Sequence, residues 1–214
     1  MNQTLHNRLK AALETSLDQT FGAVVAVRIN GKRLIETGIG YQDLNREISM
    51  PTDATFYIYS VTKSLLATAI LHLVRKEILN LDAPAQYYLP ELSLDPTITI
   101  RHLLSHTSGL SDYGEMPSYF NAVKTMPSIP WSRETFLDIT LAQRLRFTPG
   151  TDWAYSNPGY LVLRYILERV THLSLQQLLH QVIFAPLALQ KTFVPKRVFE
   201  KTIKGVKKLS GYTL

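Results

Sequence analysis

Apolar residues recur with helical spacing at the start of the chain and alternate with polar ones immediately afterwards. One side of a predicted helix over residues 4–18 carries five apolar side chains, namely Leu5, Leu9, Ala12, Leu13 and Leu17. Phe21–Ile29 and Lys32–Tyr41 then have the composition of strands. Between them stands Asn30-Gly31, the strongest short signal for a two-residue hairpin turn. The pattern therefore predicts an amphipathic helix followed by a β-hairpin.

The rest of the chain has a mostly helical pattern. A long apolar stripe predicts a helix from about Ser60 to Ile78, and a short helix is predicted around Arg101–Ser105. Three more helices are predicted, over Arg133–Gln143, Pro158–His172 and Ser174–Val182. The stretch Leu110–Pro130 is interpreted as irregular. These elements predict an α+β fold in which a helical lobe follows the hairpin, and the hairpin belongs to a mixed lobe with an antiparallel sheet.

Composition and charge limit the function classes without selecting one. The 214 residues, 45% of them hydrophobic, suffice to bury the core of one ordinary domain. The formal charge of +6 arises entirely from Lys191 onward, where seven basic residues accompany a single acidic one, Glu200. A basic terminal run is usually a solvated tail, and no nucleic-acid-binding motif accompanies this one. We therefore expect no nucleic-acid partner.

The chain carries no visible targeting or redox signal. Cysteine is absent, which excludes disulfides, thiol catalysis and thiolate metal sites. Residues 1–20 lack the basic region and sustained apolar run of an export signal, and no apolar stretch is long enough to span a membrane. We expect a cytoplasmic protein, or a periplasmic or secreted one if a signal has been removed.

The only Ser-x-x-Lys pattern in the chain joins Ser60 and Lys63 at the start of the predicted long helix. One helical turn separates the two residues, so their side chains project from the same face. A neighbouring lysine can remove the proton of a serine hydroxyl, and backbone N–H groups at a helix start favour an oxyanion. Ser60 is therefore the candidate nucleophile and Lys63 the candidate base. The alternative is that Ser60 simply caps the helix.

A second candidate segment is Phe147–Tyr160, which its Pro and Gly residues mark as a turn, a loop and a helix start. Tyr155 and Asn157 are expected on the loop. There the phenol would relay protons, and the amide would bind a substrate carbonyl or orient the lysine; the alternative is that both are turn residues. The segment Tyr119–Asn121 has the same Tyr-x-Asn spacing but lacks the flanking Pro-Gly pattern, so we interpret it as ordinary sequence.

Four other residues have a chemical and a structural interpretation. His102 and His106 have a spacing that fits a metal on one helix face. No Glu follows His102, and Ser108-Gly109 indicates that the helix ends near His106, so capping or packing is favoured. No metal or other cofactor is expected. Tyr113 and Trp153 are candidates to line a substrate cleft, although aromatic residues near loops more often only pack.

These motifs, in this order, resemble those of the serine β-lactamase and penicillin-binding-protein family, in its branch of class C β-lactamases, D-alanyl-D-alanine carboxypeptidases and esterases. Besides the two motifs above, the resemblance rests on Leu81–Pro84, Tyr88–Leu92, Ile98–Leu110 and Pro186–Leu187. It covers the chain from about Phe21 to Tyr212. It implies a β-lactamase/transpeptidase-like fold and a hydrolase in which Ser60 is acylated by a β-lactam, a D-alanyl peptide or a small ester. Lys63 and Tyr155 would share the proton transfers, and Asn157 would orient substrate.

The family's third motif, Lys-Thr-Gly or His-x-Gly on a strand across the site, has no counterpart here. Neither Lys191-Thr192 nor Lys201-Thr202 continues with Gly, and no histidine has Gly two residues later. We therefore expect residues 1–214 to be one C-terminally truncated domain of this family. Its expected parts are a helix and hairpin over 1–59, a mostly helical lobe over 60–190, and a basic tail over 191–214 that leads into missing strands.

The absent motif leaves two functions open. The chain is either an active serine hydrolase or a catalytically impaired remnant or split-protein fragment that binds ligand at most. An α/β-hydrolase is disfavoured because the chain has no Gly-x-Ser-x-Gly. The expected partners are a small-molecule or peptide substrate and, because an incomplete sheet leaves an open edge, a second copy of the chain or a complementing C-terminal fragment.

Overall fold

The computed structural model describes residues 3–16, 22–43, 45–126 and 131–195. The chain divides into two units. One contains the described residues up to Tyr57, and the other runs from Ile58 to Pro195. No helix in the described ranges combines the length and apolar character needed to cross a membrane.

The first unit contains the predicted helix and hairpin. Helix α1 spans Gln3–Ser16 and packs against strand β2, Lys32–Gly40, which pairs in antiparallel fashion with β1, Gly22–Ile29. At the turn, Asn30 and Gly31 have φ angles of 49° and 73°, the left-handed values that a type I′ turn requires. Every second residue in the middle of β2 is buried, namely Ile35, Thr37 and Ile39. The hairpin prediction is confirmed. The last two residues of the predicted helix, Leu17 and Asp18, and the first residue of the predicted strand, Phe21, lie outside the described residues.

The second unit begins with the segment that carries the Ser-x-x-Lys pattern. A 3₁₀ turn over Tyr59–Val61 leads into helix α2, Thr62–Arg75. Its inner stripe, which follows helical spacing, consists of Leu66, Ala69, Ile70 and Leu73. The helix ends three residues before the predicted Ile78, because the chain turns at Glu77, whose φ is 58°. Ser60 consequently lies in the turn before the helix rather than in the helix itself.

Six further helices complete the described part of this unit: α3 (Ala85–Tyr88), α4 (Ile100–Leu104), α5 (Pro117–Thr125), α6 (Arg133–Leu141), α7 (Asn157–Thr171) and α8 (Leu175–Leu179). A π-helical turn over His180–Phe184 continues α8. Helix α7 is central and contacts α2, α3, α4, α6 and α8. Its inner face carries Gly159, Val162, Leu163, Ile166 and Leu167, all of them buried. The two candidate motifs lie at the starts of α2 and α7. Because these helices pack against each other, the packing fixes the positions of the two motifs relative to one another.

The interpretation of Leu110–Pro130 as irregular is wrong for much of that stretch. Tyr113–Glu115 forms a 3₁₀ turn, and Pro117 occupies the first turn of α5, where its missing N–H costs nothing. Helix α5 buries none of its residues, so it has no fully inward apolar stripe from which it could be recognised. Residues 127–130 lie outside the described residues.

Candidate active site

Four of the six predicted site residues form one hydrogen-bonded group. The hydroxyls of Ser60 and Tyr155 share a hydrogen bond of 2.7 Å. Lys63 Nζ donates to Ser60 Oγ at 3.2 Å and to Asn157 Oδ1 at 2.6 Å. Tyr155 Oη lies 3.4 Å from the same amide oxygen. The serine oxygen thus contacts both groups that the sequence proposed for proton transfer.

The turn before α2 presents the serine to solvent. Tyr59, directly before Ser60, has a φ of 41°, a value that non-glycine residues seldom adopt. Ser60 is exposed, whereas Lys63, one turn further, is half-buried. The Lys63 Nζ lies 4.9 Å from the centre of the Tyr155 ring and 5.6 Å from that of Tyr160. Two aromatic faces therefore border the amine on the side of α7.

The Tyr-x-Asn segment straddles the start of α7. Ser156 caps the helix by accepting from the Gly159 N–H at 3.2 Å, and Pro158 lies in the first turn. Asn157 is the first residue of the helix rather than a loop residue as expected, while Tyr155 lies outside it and is 37% exposed. The helix start fixes the direction of the Asn157 side chain.

Sequence reasoning missed the role of His106, for which it favoured only capping or packing. The backbone N–H of Ala154 donates to the His106 carbonyl at 2.9 Å, and that of Ser156 donates to His106 Nδ1 at 3.1 Å. These are the two neighbours of Tyr155. The imidazole also lies against the Tyr155 ring, 4.7 Å between centres. One residue therefore anchors the tyrosine loop on both sides.

The environment of His106 favours its neutral form. Burial lowers the pKa of the imidazole, the nearby Lys63 charge lowers it further, and Asp112 opposes both. Because Nδ1 accepts the Ser156 N–H, the proton of the neutral ring is on Nε2. His102 instead caps α4, together with Thr99, which confirms the capping interpretation for that residue. No group of three or more His, Asp or Glu side chains in the described ranges is arranged to hold a metal ion.

Asp112 also belongs to the site and was not predicted. Its Oδ2 accepts from the backbone N–H of Asn157 at 2.6 Å and from Asn157 Nδ2 at 3.0 Å. Its Oδ1 accepts from the Gly114 N–H at 2.9 Å. The only sequence signal was an aspartate in a turn next to Tyr113, and aspartates are common in turns.

The two aromatic candidates lie in different surroundings. Tyr113 is half-buried in a cluster with Tyr119 and Phe136, and burial together with nearby Tyr119 and Asp112 raises the pKa of its phenol. Trp153 is 61% exposed and touches His106 only edge-on, with 6.1 Å between ring centres. The second Tyr-x-Asn lies on α5, where Tyr119 packs in that cluster and against Trp131. Lys63 and Ser60 contact Tyr155 instead.

Comparison with known proteins places this geometry in context. The family model described as Beta-lactamase matches residues 9–201. The chain is 30% identical to penicillin-binding protein 4* of Bacillus subtilis, over 92% of the chain and 43% of that protein. It is 32% identical to Esterase EstB of Burkholderia gladioli, over 85% of the chain and 50% of the esterase. The chain thus spans half the length of these relatives or less.

A solved structure confirms the predicted fold class. The D-stereospecific amidohydrolase from Streptomyces sp. superposes with a TM-score of 0.76 at 28% sequence identity. The match covers 89% of this chain and 56% of the amidohydrolase chain. Helices combined with an antiparallel hairpin in this chain therefore correspond to part of a β-lactamase-like fold.

Proposed function

This chain belongs to the beta-lactamase family, and we propose that it is a serine hydrolase that acts through an acyl-enzyme on Ser60. The family contains serine hydrolases that transfer acyl groups, among them the esterase and the amidohydrolase. The observation that carries the proposal is the contact of Ser60 Oγ with both Lys63 Nζ and Tyr155 Oη. A serine needs such a base to become a useful nucleophile.

Acylation would use these two contacts in sequence. Ser60 Oγ attacks the substrate carbonyl carbon while its proton passes to Lys63 Nζ, which acts in its unprotonated form, and the carbonyl becomes an oxyanion. When the tetrahedral intermediate collapses, the bond to the leaving group breaks and that group takes the proton of Tyr155 Oη. The tyrosine recovers a proton from the Lys63 ammonium. Both groups return to their starting states, and Ser60 carries the acyl group until water hydrolyses the ester.

The three remaining candidate residues, Asn157, Trp153 and Tyr113, would orient the base or bind the substrate. Both ends of the Asn157 amide contact protein groups, which supports its action on Lys63 more than direct recognition of substrate. Trp153 is exposed and Tyr113 adjoins Asp112, so we propose that both offer aromatic surface to the substrate. The substrate would be a β-lactam, a D-alanyl peptide or a small ester.

The second candidate function is that of an impaired remnant or split-protein fragment. The Ser60 backbone N–H would supply half of an oxyanion hole, and the family's third motif, which supplies the other half, has no counterpart in these 214 residues. The partial coverage of the relatives agrees with this alternative. Such a chain would bind ligand but hydrolyse it slowly or not at all.

Covalent labelling separates the two functions. The chain would be incubated with a fluorescent penicillin and, in parallel, with a fluorophosphonate, and intact mass would be recorded. An adduct on Ser60, followed by turnover of nitrocefin or a p-nitrophenyl ester, supports the hydrolase. The measurement would be repeated with an added polypeptide that carries a Lys-Thr-Gly or His-x-Gly strand. Absence of an adduct with either probe, with and without that polypeptide, would contradict the proposal.

A further inference from the structure

The side-chain amide of Asn157 connects the candidate base to a carboxylate. Its Oδ1 accepts from Lys63 Nζ at 2.6 Å, and its Nδ2 donates to Asp112 Oδ2 at 3.0 Å. The oxygen and nitrogen of an amide exchange places when the group turns over. The group that fixes the orientation of the Asn157 amide therefore determines whether Lys63 Nζ faces the amide oxygen or the amide nitrogen.

Asp112 favours one of the two amide orientations. A carboxylate only accepts hydrogen bonds, so it binds Nδ2 and repels the amide oxygen. The backbone N–H of Asn157, which as the first residue of α7 has no partner within the helix, donates to the same Oδ2 at 2.6 Å. The carboxylate also lies where the helix dipole stabilises negative charge. Asp112 is thus held beside Asn157 independently of Lys63.

The opposite amide orientation would impair the base. A neutral lysine amine has two N–H groups and one lone pair. With Oδ1 facing it, one N–H donates to Asn157. When the amine acts as a base, its lone pair can then turn to the Ser60 hydroxyl, whose oxygen lies 3.2 Å away and accepts from the amine in the resting structure. With Nδ2 facing it, the lone pair would accept from Asn157 and be lost to Ser60.

We propose that Asp112 is a positioning residue that keeps Asn157 in the amide orientation in which Lys63 can take the proton of Ser60. This inference rests on the proposed function, in which Lys63 is the base. Asp112 makes no hydrogen bond to Ser60 or Lys63 among the contacts described, and its two hydrogen bonds to Asn157 are the contacts to which we assign its effect on acylation.

The test variant is Asp112→Asn, with Asp95→Asn as its matched control. Asp112 uses both oxygens as acceptors, one for Gly114 and one for Asn157, so an amide must turn its NH2 toward one of these donors. Asp95 also accepts from a backbone N–H two residues on, that of Thr97, but uses a single oxygen. In Asp95→Asn the amide oxygen can still accept from the Thr97 N–H and hydroxyl, so these contacts are kept. Both variants remove one negative charge.

The kinetic measurement is the rate of Ser60 labelling by the fluorophosphonate. Asp112→Asn is expected to slow labelling about 10- to 100-fold, the range for a lost charge-assisted hydrogen bond, and Asp95→Asn to change it less than about twofold. In an Asn157→Ala background, the Asp112→Asn change should add less than about twofold, because the amide is already gone. The loss of thermal stability caused by Asp112→Asn should persist in the Asn157→Ala background, because the backbone N–H of residue 157 still donates to position 112. Asp112→Ala, which leaves the Asn157 amide without this acceptor, should slow labelling at least as much as Asp112→Asn. Unchanged labelling in Asp112→Ala, or additive losses in the double variant, would overturn the proposal.

A spectroscopic measurement keeps this inference separate from the proposed function. In 15N spectra of the chain, the Asn157 Nδ2 protons are expected to exchange slowly and to be dispersed, and to lose both properties in Asp112→Asn but not in Asp95→Asn. This measurement needs no reaction at Ser60, so it tests the positioning role of Asp112 even if no probe labels the chain. Should Asp112→Asn fail to fold, the wild-type spectrum decides, because fast-exchanging Asn157 protons at ordinary shifts would overturn the proposal.

Discussion

The hydroxyl oxygens of Ser60 and Tyr155, 95 positions apart in the chain, lie 2.7 Å from each other. Ser60 is held by the turn before α2, and Tyr155 by a loop whose two flanking N–H groups donate to His106. Because α2 and α4 both pack against α7, the contact between the two hydroxyls depends on the helical framework.

Ser60→Ala is expected to abolish labelling by the fluorescent penicillin and the fluorophosphonate while leaving the fold intact. The side chain is exposed, so its removal leaves no cavity. Intact mass and circular dichroism check both parts. Ser64→Ala, an exposed serine on the same helix, should label normally. Labelling that persists in Ser60→Ala would place the nucleophile elsewhere.

Lys63→Ala and Tyr155→Phe should each slow acylation on the order of 100-fold or more, because each removes a proton-transfer partner of Ser60. Their combination should cost less than the product of the single effects, since the two groups act on one proton path. Stopped-flow labelling measures these rates. The control is Tyr119→Phe, from the second Tyr-x-Asn, and an equal loss there would mean that the wrong tyrosine has been chosen.

The stability of the unit from Ile58 to Pro195 should fall as the pH drops below about 6.5, the ordinary histidine pKa. His106 has a lowered pKa in the folded chain, so between the folded and unfolded pKa values the unfolded state binds more protons. Stability therefore rises with pH in that window and is lost as the pH falls through the folded pKa.

Thermal melts from pH 7.5 to 5 test this dependence. The decline in melting temperature should be smaller in His106→Gln, which cannot take up the proton, than in the wild type. His180→Gln, which replaces an exposed histidine, should leave the profile unchanged. Identical pH profiles for wild type and His106→Gln would contradict the assignment.

Gly109→Ala should destabilise the same unit by about 2 to 4 kcal/mol. Gly109 has a φ of 76°, and an added Cβ would lie 2.3 Å from the carbonyl oxygen of Phe147. Urea unfolding followed by tryptophan fluorescence measures the change. Gly159→Ala is the control, because its Cβ would make only ordinary contacts, the nearest 3.5 Å from Leu103. Equal stabilities of the two variants would refute the expected clash.

We expect the chain of 214 residues to self-associate through its hairpin. In the described ranges the sheet has only β1 and β2, and a two-stranded ribbon with open edges is marginal in water. Sedimentation velocity should show concentration-dependent association, which Ile29→Lys weakens because Ile29 is 57% exposed at the end of β1. Leu71→Lys, at an exposed position on α2, is the control. A monodisperse monomer across the concentration range would contradict this expectation, and a complementing polypeptide that adds strands should suppress the association.

Local patterns in the sequence were enough for the hairpin, the main helices and the pairing of Ser60 with Lys63. A left-handed Asn-Gly turn, a stripe at helical spacing and residues one turn apart are properties of neighbouring positions, so they can be predicted without the tertiary fold. Helix α5 was not predicted, because none of its residues is buried and it therefore shows no fully buried apolar stripe at helical spacing.

Only the tertiary structure decided which distant groups meet this pair. Both Tyr155 and Tyr119 offered the same spacing to Asn, and the packing of α7 brings the first of them to Ser60. His106 and Asp112 act through a ring nitrogen, a backbone carbonyl and a carboxylate that contact residues 45 to 50 positions away. The sequence carries no periodic signal for such contacts, because they join the loop that follows α4 to the loop before α7 and to the first residue of α7, where backbone N–H groups have no partner within a helix.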